Sequence, residues 1–383
     1  MKHRFVAVDV GTGDAFFIQR GGFSALVDGG QAPGFPRRLH RATFADAVNV
    51  LVCTHNDRDH ANGVVEFLEE GGHADECWLP ATWMEAASRL CTASVDELES
   101  LLLDEDEEIP EHIQREDASE ISVSDLEEQL SAFEEGTREA LPILPVAVPS
   151  LVFAPVTLLP WGLHRSKTRV AALLSDASRI LAIALAAMRL QIPIRWFDPE
   201  VASHNQPSLP LSVVNAREVT AIRRARLTLK GVVKLTTVNR HSLVLYSPRD
   251  DEAPGVLFCA DSAFGNLPTP PADRGMIVTA PHHGAADKEK VAVYHKLDNA
   301  CGTHQPASWL WVRSDRDCEA RPCAEYLQRQ TRYCTRCRGQ TLKQPFQSVV
   351  FVANSGTWRS ESRACNCSLP GSHAQRRSPS QPT

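Results

Sequence analysis

One short segment carries four side chains that commonly bind metal ions: His55, Asp57, Asp59 and His60. The preceding apolar residues 48–53 predict a buried strand, and the apolar positions after Gly63 predict a short helix over residues 64–68. The four side chains should therefore lie on a turn at the carboxyl end of a strand, where open α/β sheets bind ligands. Nitrogen and oxygen ligands suit zinc, manganese or iron, and the absence of thiolate favours a catalytic metal. The alternative, a solvated polar turn, is disfavoured because adjacent charges repel or lose hydration without a cation.

Two later apolar segments end in further candidate ligands. Residues 255–260 predict a buried strand that delivers Asp261 to a turn, and residues 276–280 predict another strand that ends at Pro281-His282-His283-Gly284. A plain strand-end carboxylate and a chance pair of histidines are the alternatives. The three segments together predict one site assembled from several strand ends.

The spacing H-x-D-x-D-H at residues 55–60 resembles the metallo-β-lactamase signature H-x-H-x-D-H, with Asp57 in place of the second histidine. This variant is similar to the soluble metallo-β-lactamase domain of ComEC-type DNA-uptake proteins. The resemblance extends to D-V-G-T-G-D-A at 9–15, L-V-D-G-G at 26–30, N-x-x-S-L-V-L at 239–245 and H-H-G at 282–284. Ala260 and Ala285 stand where that family usually has glycine and serine.

The resemblance implies an α/β fold, the metallo-β-lactamase αββα sandwich, here with a helical acidic insertion. It implies a site for one or two divalent metals, zinc or manganese, with Asp261 as the bridging ligand and Asp59 as a catalytic residue. The implied metal ligands are His55, Asp57, Asp59, His60, Asp261 and one or both of His282 and His283. The midway histidine of the family has no clear match among His112, His164 and His204.

Three turn carboxylates near the amino terminus have less specific roles. We expect Asp28 to support the metal site without binding the metal, as the family's opening hairpin implies. Asp9 and Asp14 are expected to accept hydrogen bonds from backbone amides in their turn.

Metal-activated water is the chemistry that such a site supplies, and a phosphodiesterase or nuclease is the function that the resemblance favours. A nucleic acid or other phosphodiester is the expected substrate. The basic residues Arg217, Arg223, Arg224, Arg226, Lys230 and Lys234 form either a phosphate-binding stretch or one solvated hairpin face. A hydrolase of a small ester or lactone remains an alternative because fold does not fix substrate. A non-enzymatic regulatory subunit is a further alternative.

The 383 residues and their 43% hydrophobic content suit a globular protein with a sizeable core. We predict the first half of the metallo-β-lactamase domain over 1–83, a helical, acidic insertion and linker over 84–190, the second half over 191–360, and a disordered tail over 368–383. Residues 95–139 carry 18 acidic residues against two arginines. Such runs are either solvated faces or a partner-binding element.

The sequence opens without a leader-like apolar stretch, and its longest apolar run, residues 180–188, is too short to span a bilayer. We therefore expect a cytoplasmic protein with reduced thiols and no membrane association. Two close cysteine pairs suggest a structural zinc in a cysteine-rich element over 334–367. Surface thiols without a metal are the alternative. The four cysteines are Cys334, Cys337, Cys365 and Cys367.

Overall fold

The computed structural model describes most of the chain, in several ranges. The described residues are 3–31, 33–93, 120–140, 169–199, 208, 210–223, 242–265, 267, 269–285, 288–301, 308–315, 321–336, 348–365 and 367.

The described residues form strands and helices that alternate along the chain. The strands are β1 (Arg4–Ala7), β2 (Phe16–Arg20), β3 (Phe23–Val27), β4 (Ala47–Val52), β5 (His73–Pro80), β6 (Glu120–Ser122), β7 (Ile194–Asp198), β8 (Ser212–Val213), β9 (Arg217–Val219), β10 (Ala221–Arg223), β11 (Leu245–Ser247), β12 (Val256–Phe258), β13 (Ile277–Thr279), β14 (Leu310–Arg313), β15 (Arg332–Cys334), β16 (Val349–Asn354) and β17 (Thr357–Ser360). The helices are α1 (Phe35–Thr43), α2 (Arg58–Glu69), α3 (Thr82–Thr92), α4 (Val123–Ala140), α5 (Arg169–Arg189), α6 (Lys288–Cys301) and α7 (Ala324–Leu327), and Pro281–Gly284 form a 3₁₀ turn.

Two large sheets form the centre of the structure. The first has nine strands in the order β17-β16-β1-β2-β3-β4-β5-β7-β9, and β3, β4, β5 and β7 pair in parallel. The second has the order β15-β14-β13-β12-β11-β8, with β12 to β15 in parallel. A small antiparallel pair, β10-β6, completes the described sheets. Parallel strands end at one edge of their sheet, so the loops after β4, β12 and β13 can meet.

Both faces of each sheet are buried, and successive side chains along a strand belong to different cores. In β1, Phe5 and Ala7 belong to the apolar core that also contains Phe258 and Ile277 of the second sheet, whereas Val6 packs with the helices on the other face. Successive side chains of a strand point to opposite faces, so two covered faces require an almost continuous apolar run. Helices α1 to α5 contribute to the outer core of the first sheet, and α6 and α7 to that of the second. The predicted αββα sandwich is confirmed.

The region predicted as an insertion is mainly helical where it is described, and the short strand β6 is the exception. Helices α4 and α5 pack with α3, and β6 pairs with β10. Leu126 and Leu130 of α4 and Ile180, Leu181 and Ile183 of α5 are buried in the same core as α2. The acidic run 104–108, the proline-rich linker 142–160 and the basic residues 224–234 lie outside the described residues, so the partner-binding role of this region and the domain boundaries stay predictions.

The start of helix α2 differs from expectation. Helix α2 begins at Arg58 and not after Gly63, so Asp59 and His60 lie in its first turn. Asp59 is an acidic residue at a helix amino terminus, a favourable position that the apolar pattern alone does not reveal. No described helix is both long enough and apolar enough to cross a bilayer.

Candidate metal centre

Three segments of the chain bring the predicted ligands together at the edge between the two sheets. His55 and Asp57 follow β4, Asp59 and His60 begin α2, and Asp261 follows β12. The two histidines of the 3₁₀ turn follow β13, beside the end of β12. All seven residues predicted as metal ligands therefore meet at one place, although their role as ligands stays a prediction.

The first group of candidate ligands is His55, Asp57 and Asp261, whose ligand atoms lie within 4.8 Å of one another. His55 Nε2 lies 3.7 Å from Asp57 Oδ2 and 3.7 Å from Asp261 Oδ2. His282 borders this group, because its Nδ1 lies 3.1 Å from the same Asp261 oxygen. One imidazole, two carboxylates and a neighbouring second imidazole could therefore surround one cation.

The second group is Asp14, His60, Asp261 and His283, all of them buried. The Nε2 atoms of His60 and His283 each lie 3.5 Å from Asp261 Oδ1. Asp59 borders this group, with its Oδ2 3.4 Å from His283 Nε2. Asp261 thus directs one carboxylate oxygen to each group, which is the arrangement expected of a bridging ligand.

Asp28, outside the second group, and Asp14, within it, orient the two histidines of that group. Asp28 Oδ2 lies 2.8 Å from His60 Nδ1, and Asp14 Oδ1 lies 3.0 Å from His283 Nδ1. Asp28 also accepts hydrogen bonds from the amide and hydroxyl of Thr54. A carboxylate on one ring nitrogen leaves the other nitrogen directed at the centre, as in many histidine metal ligands.

Asp14 is a site residue that the sequence analysis missed. It was expected to accept a hydrogen bond from a backbone amide, but its carboxylate contacts His283 instead. Asp9 does bind a backbone amide, that of Gly11. The turn sequence alone could not separate the two carboxylates, since the partner of Asp14 lies 269 residues further along the chain.

Burial and mutual charge shift the protonation of the centre. Burial alone would raise the pKa of the Asp261 carboxyl, but His283 and His60 bring it well below its usual range. Burial alone would lower the pKa of His283, but Asp14 and Asp261 raise it to about 9. His60 behaves in the same way, with a pKa well above its usual value because of Asp28 and Asp261. The carboxylates thus hold positive charge among them, and a bound cation would supply that charge in place of the protons.

The donor set fits a divalent cation. Within the described part of the chain, neither His55 Nε2 nor Asp14 Oδ2 has a hydrogen-bond partner, although both atoms are buried. Unpartnered buried polar atoms are costly unless another group, such as a metal ion, satisfies them. Their position inside a cluster of imidazoles and carboxylates indicates a metal site.

Strained backbone surrounds the same centre. Asp28, Ala260, His282 and His283 all adopt positive φ angles, of 59°, 46°, 47° and 53°. Residues with a Cβ rarely occupy this region, and such strain collects at functional sites. Ala260 stands where the resemblance predicts glycine, the residue that adopts such an angle without steric cost.

An arginine lies at the accessible side of the centre. Arg321 is 2.9 Å from Asp315 and 3.9 Å from the carboxylate of Asp59. Asp315 also accepts a hydrogen bond from the Gly13 amide, which ties this arginine to the β1–β2 turn. Arg321 was not among the predicted site residues, because only the fold brings it close to Asp59.

Comparison with known proteins supports this interpretation. Residues 8–77 match the family model described as the Metallo-beta-lactamase superfamily, a segment that contains the H-x-D-x-D-H residues. A search of curated proteins gives no significant match. The match and the two ligand groups support a metal-dependent hydrolase of this fold.

Proposed function

We propose that the protein is a two-metal phosphodiesterase that acts on nucleic acid or another phosphodiester. The observation that carries this proposal is the Asp261 carboxylate, which directs one oxygen to each of two ligand groups. Paired cations of this kind are common in enzymes that cleave phosphate esters. The resemblance of the H-x-D-x-D-H segment to ComEC-type domains favours the same substrate class.

The contacts support the assignment of His282 and His283 to different metal positions. His282 approaches the Asp261 oxygen that faces His55, and His283 approaches the oxygen that faces His60. His282 would then act at the first position, where the family's midway histidine has no clear match. His112, His164 and His204 lie outside the described residues.

When bound, two divalent cations supply a hydroxide at neutral pH and neutralise the charge that develops on a phosphoryl group. Asp59 is suited to orient the attacking water, because its side chain is 22% exposed and borders the second group. Burial alone would raise the pKa of Asp59, but His283 and His60 lower it, so the group is ionised at neutral pH. Arg321, beside Asp59, provides a positive charge for a phosphate oxygen.

Asp57 bears on the choice of metal. Burial alone would raise its pKa, but His55 lowers it, so this residue presents a carboxylate to the first position. A carboxylate is a harder ligand than imidazole and shifts preference from zinc toward manganese. We therefore propose manganese as the better activator.

The test is hydrolysis by metal-free protein reconstituted with manganese or zinc. Substrates would be single-stranded DNA, RNA and bis(p-nitrophenyl) phosphate, with p-nitrophenyl acetate and a lactone for the alternative ester activity. We expect turnover of a phosphodiester that Asp261→Asn and Asp59→Ala reduce by at least about 10²-fold, as for groups that act together at a catalytic centre. Asp46→Asn is the control, because Asp46 is an exposed carboxylate paired with His40. Cleavage of only the ester or lactone would contradict the phosphodiesterase proposal, and wild-type turnover in Asp261→Asn would contradict the site.

A further inference from the structure

A second cluster of metal-binding side chains lies at the far edge of the second sheet. Cys334 ends β15, and Cys365 and Cys367 follow β17. The Sγ atom of Cys367 lies 3.5 Å from that of Cys334 and 3.0 Å from that of Cys365. All three sulfurs fall within 4.8 Å of one another. This cluster, the thiol cluster, contains none of the histidines or carboxylates of the first centre.

The backbone holds the thiol cluster in place. The amide of Cys365 donates a hydrogen bond of 2.6 Å to the carbonyl oxygen of Arg332, two residues before Cys334. This bond aligns the segment after β17 with β15. The single residue between Cys365 and Cys367 lets both sulfurs turn toward Cys334, so the cluster follows from local chain geometry as well as from the fold.

The sulfur spacing suits a shared cation. A covalent disulfide has a sulfur–sulfur distance of about 2.0 Å, well below both separations in the thiol cluster. Sulfur ligands at 2.3 Å from a tetrahedral zinc lie roughly 3.8 Å apart. The separation of Cys334 and Cys367, 3.5 Å, is near this value, whereas Cys365 and Cys367, at 3.0 Å, would have to move slightly apart. Three thiolates form a soft donor set, which selects zinc and similar ions and not the harder manganese.

A buried arginine beside the thiol cluster compensates for its negative charge. The Arg313 side chain is fully buried at the end of β14, which pairs with β15. Burial alone would lower the pKa of Arg313, but Tyr326, Cys334 and Cys367 hold it above its ordinary value. Three thiolates with one divalent cation carry a net charge of −1, and the guanidinium contributes a positive charge beside them that it shares with Asp315, 3.9 Å away.

Arg313 and Tyr326 connect the thiol cluster with the histidine turn of the first centre. A Cβ on Gly284, at φ +79°, would lie 3.4 Å from Arg313 Cδ and 3.6 Å from Tyr326 Cγ. The Gly284 carbonyl also accepts a hydrogen bond from the amide of Cys323, which precedes α7. The turn that carries His282 and His283 therefore rests on side chains that border the thiol cluster.

We propose that Cys334, Cys365 and Cys367 bind one thiophilic divalent cation of the zinc class, separate from the histidine–carboxylate centre. The ion fastens the segment after β17 to β15 and so keeps Arg313 and Tyr326 in place beneath the histidine turn. Each thiol releases its proton to solvent when the ion binds, so affinity rises with pH. Cys337, the fourth cysteine of the predicted zinc element, lies outside the described residues, and the proposal does not depend on it.

The first test is a cobalt titration of the metal-free, reduced full-length protein. Cobalt bound by thiolates gives a sulfur-to-metal charge-transfer band in the near ultraviolet, which histidine and carboxylate ligands do not give. We expect this band in wild type and in Asp261→Asn, because the thiol cluster does not use Asp261. Zinc should displace the cobalt and remove the band. Absence of the band in wild-type protein would overturn the proposal without recourse to any cysteine variant.

The second test assigns the ligands. Cys334→Ser and Cys367→Ser should each lower the zinc content by about one ion per chain and remove the band, whereas Cys91→Ser, a half-buried thiol elsewhere, should change neither. Mass spectrometry after alkylation without reductant, on protein purified in air, distinguishes a disulfide. A Cys365–Cys367 or Cys334–Cys367 disulfide in protein that contains no cluster-bound zinc would overturn the proposal.

Discussion

Helix α2 carries two candidate ligands and packs closely against the turn after β3, where Gly63 of the helix faces Gly29 of the turn. An alanine Cβ at position 63 would lie 2.1 Å from the Gly29 carbonyl oxygen and 2.5 Å from its carbonyl carbon. Both contacts are with backbone, which cannot rotate aside, so the helix must retreat by roughly 1 Å to reach ordinary contact. The retreat would strain the hydrogen bonds from Gly29 N to His60 O, of 2.8 Å, and from Gly63 N to Gly30 O, of 3.0 Å.

The net effect of Gly63→Ala follows from three opposed contributions. Overpacking costs about 1–3 kcal/mol. Each weakened hydrogen bond costs about 1 kcal/mol. Replacing glycine by alanine inside a helix stabilises it by about 1 kcal/mol. We therefore expect a net loss of about 2–4 kcal/mol in the free energy of unfolding, against the usual stabilising effect of this substitution in a helix.

The same displacement should reach the metal centre, because His60 lies one turn before Gly63. A shift of about 1 Å in a catalytic geometry can reduce turnover about 10²-fold. The assays are urea unfolding of metal-free protein and metal-dependent turnover. The control is Gly22→Ala in the β2–β3 hairpin, where a Cβ meets nothing within 4 Å. Wild-type stability and turnover in Gly63→Ala would refute the close approach of α2 to the Gly29 turn.

Two further predictions concern charge. Asp57→His should move the metal preference of turnover toward zinc, because it replaces a carboxylate by imidazole at the first position. An equal zinc preference in wild type and variant would contradict the argument from ligand hardness. Partial burial alone would raise the pKa of Asp250, but the Ala253 amide and Arg20 lower it. The Asp250 carboxylate therefore stabilises the fold above its ordinary pKa of 3.8, and this stabilisation is lost as the pH falls through the lower pKa that the group has in the folded protein. Metal-free wild type should therefore lose more unfolding free energy than Asp250→Asn between about pH 5 and pH 3 in urea titrations, and parallel losses would contradict this role.

The sequence determined the strands and the loops that carry the candidate ligands. Apolar runs before His55, Asp261 and His282 predicted three buried strands, and each strand is present with its ligand-bearing loop at the carboxyl end. These signals are local, because a strand buried on both faces needs an almost continuous apolar run. The start of α2 was harder to predict, since its first turn holds charged residues that interrupt the apolar pattern.

Long-range packing sets which polar groups meet. Asp14 and His283 are 269 residues apart and come together because the two sheets pack face to face with their loops at a common edge. The different directions of His282 and His283 depend on left-handed backbone angles at both residues, which sequence spacing does not encode. Likewise, the cysteine spacing indicated two pairs, but pairing of β14 with β15 and the return of the chain after β17 bring Cys334, Cys365 and Cys367 together beside Arg313. Such contacts are set by long-range packing, whereas the pattern of apolar residues specifies only the elements that pack.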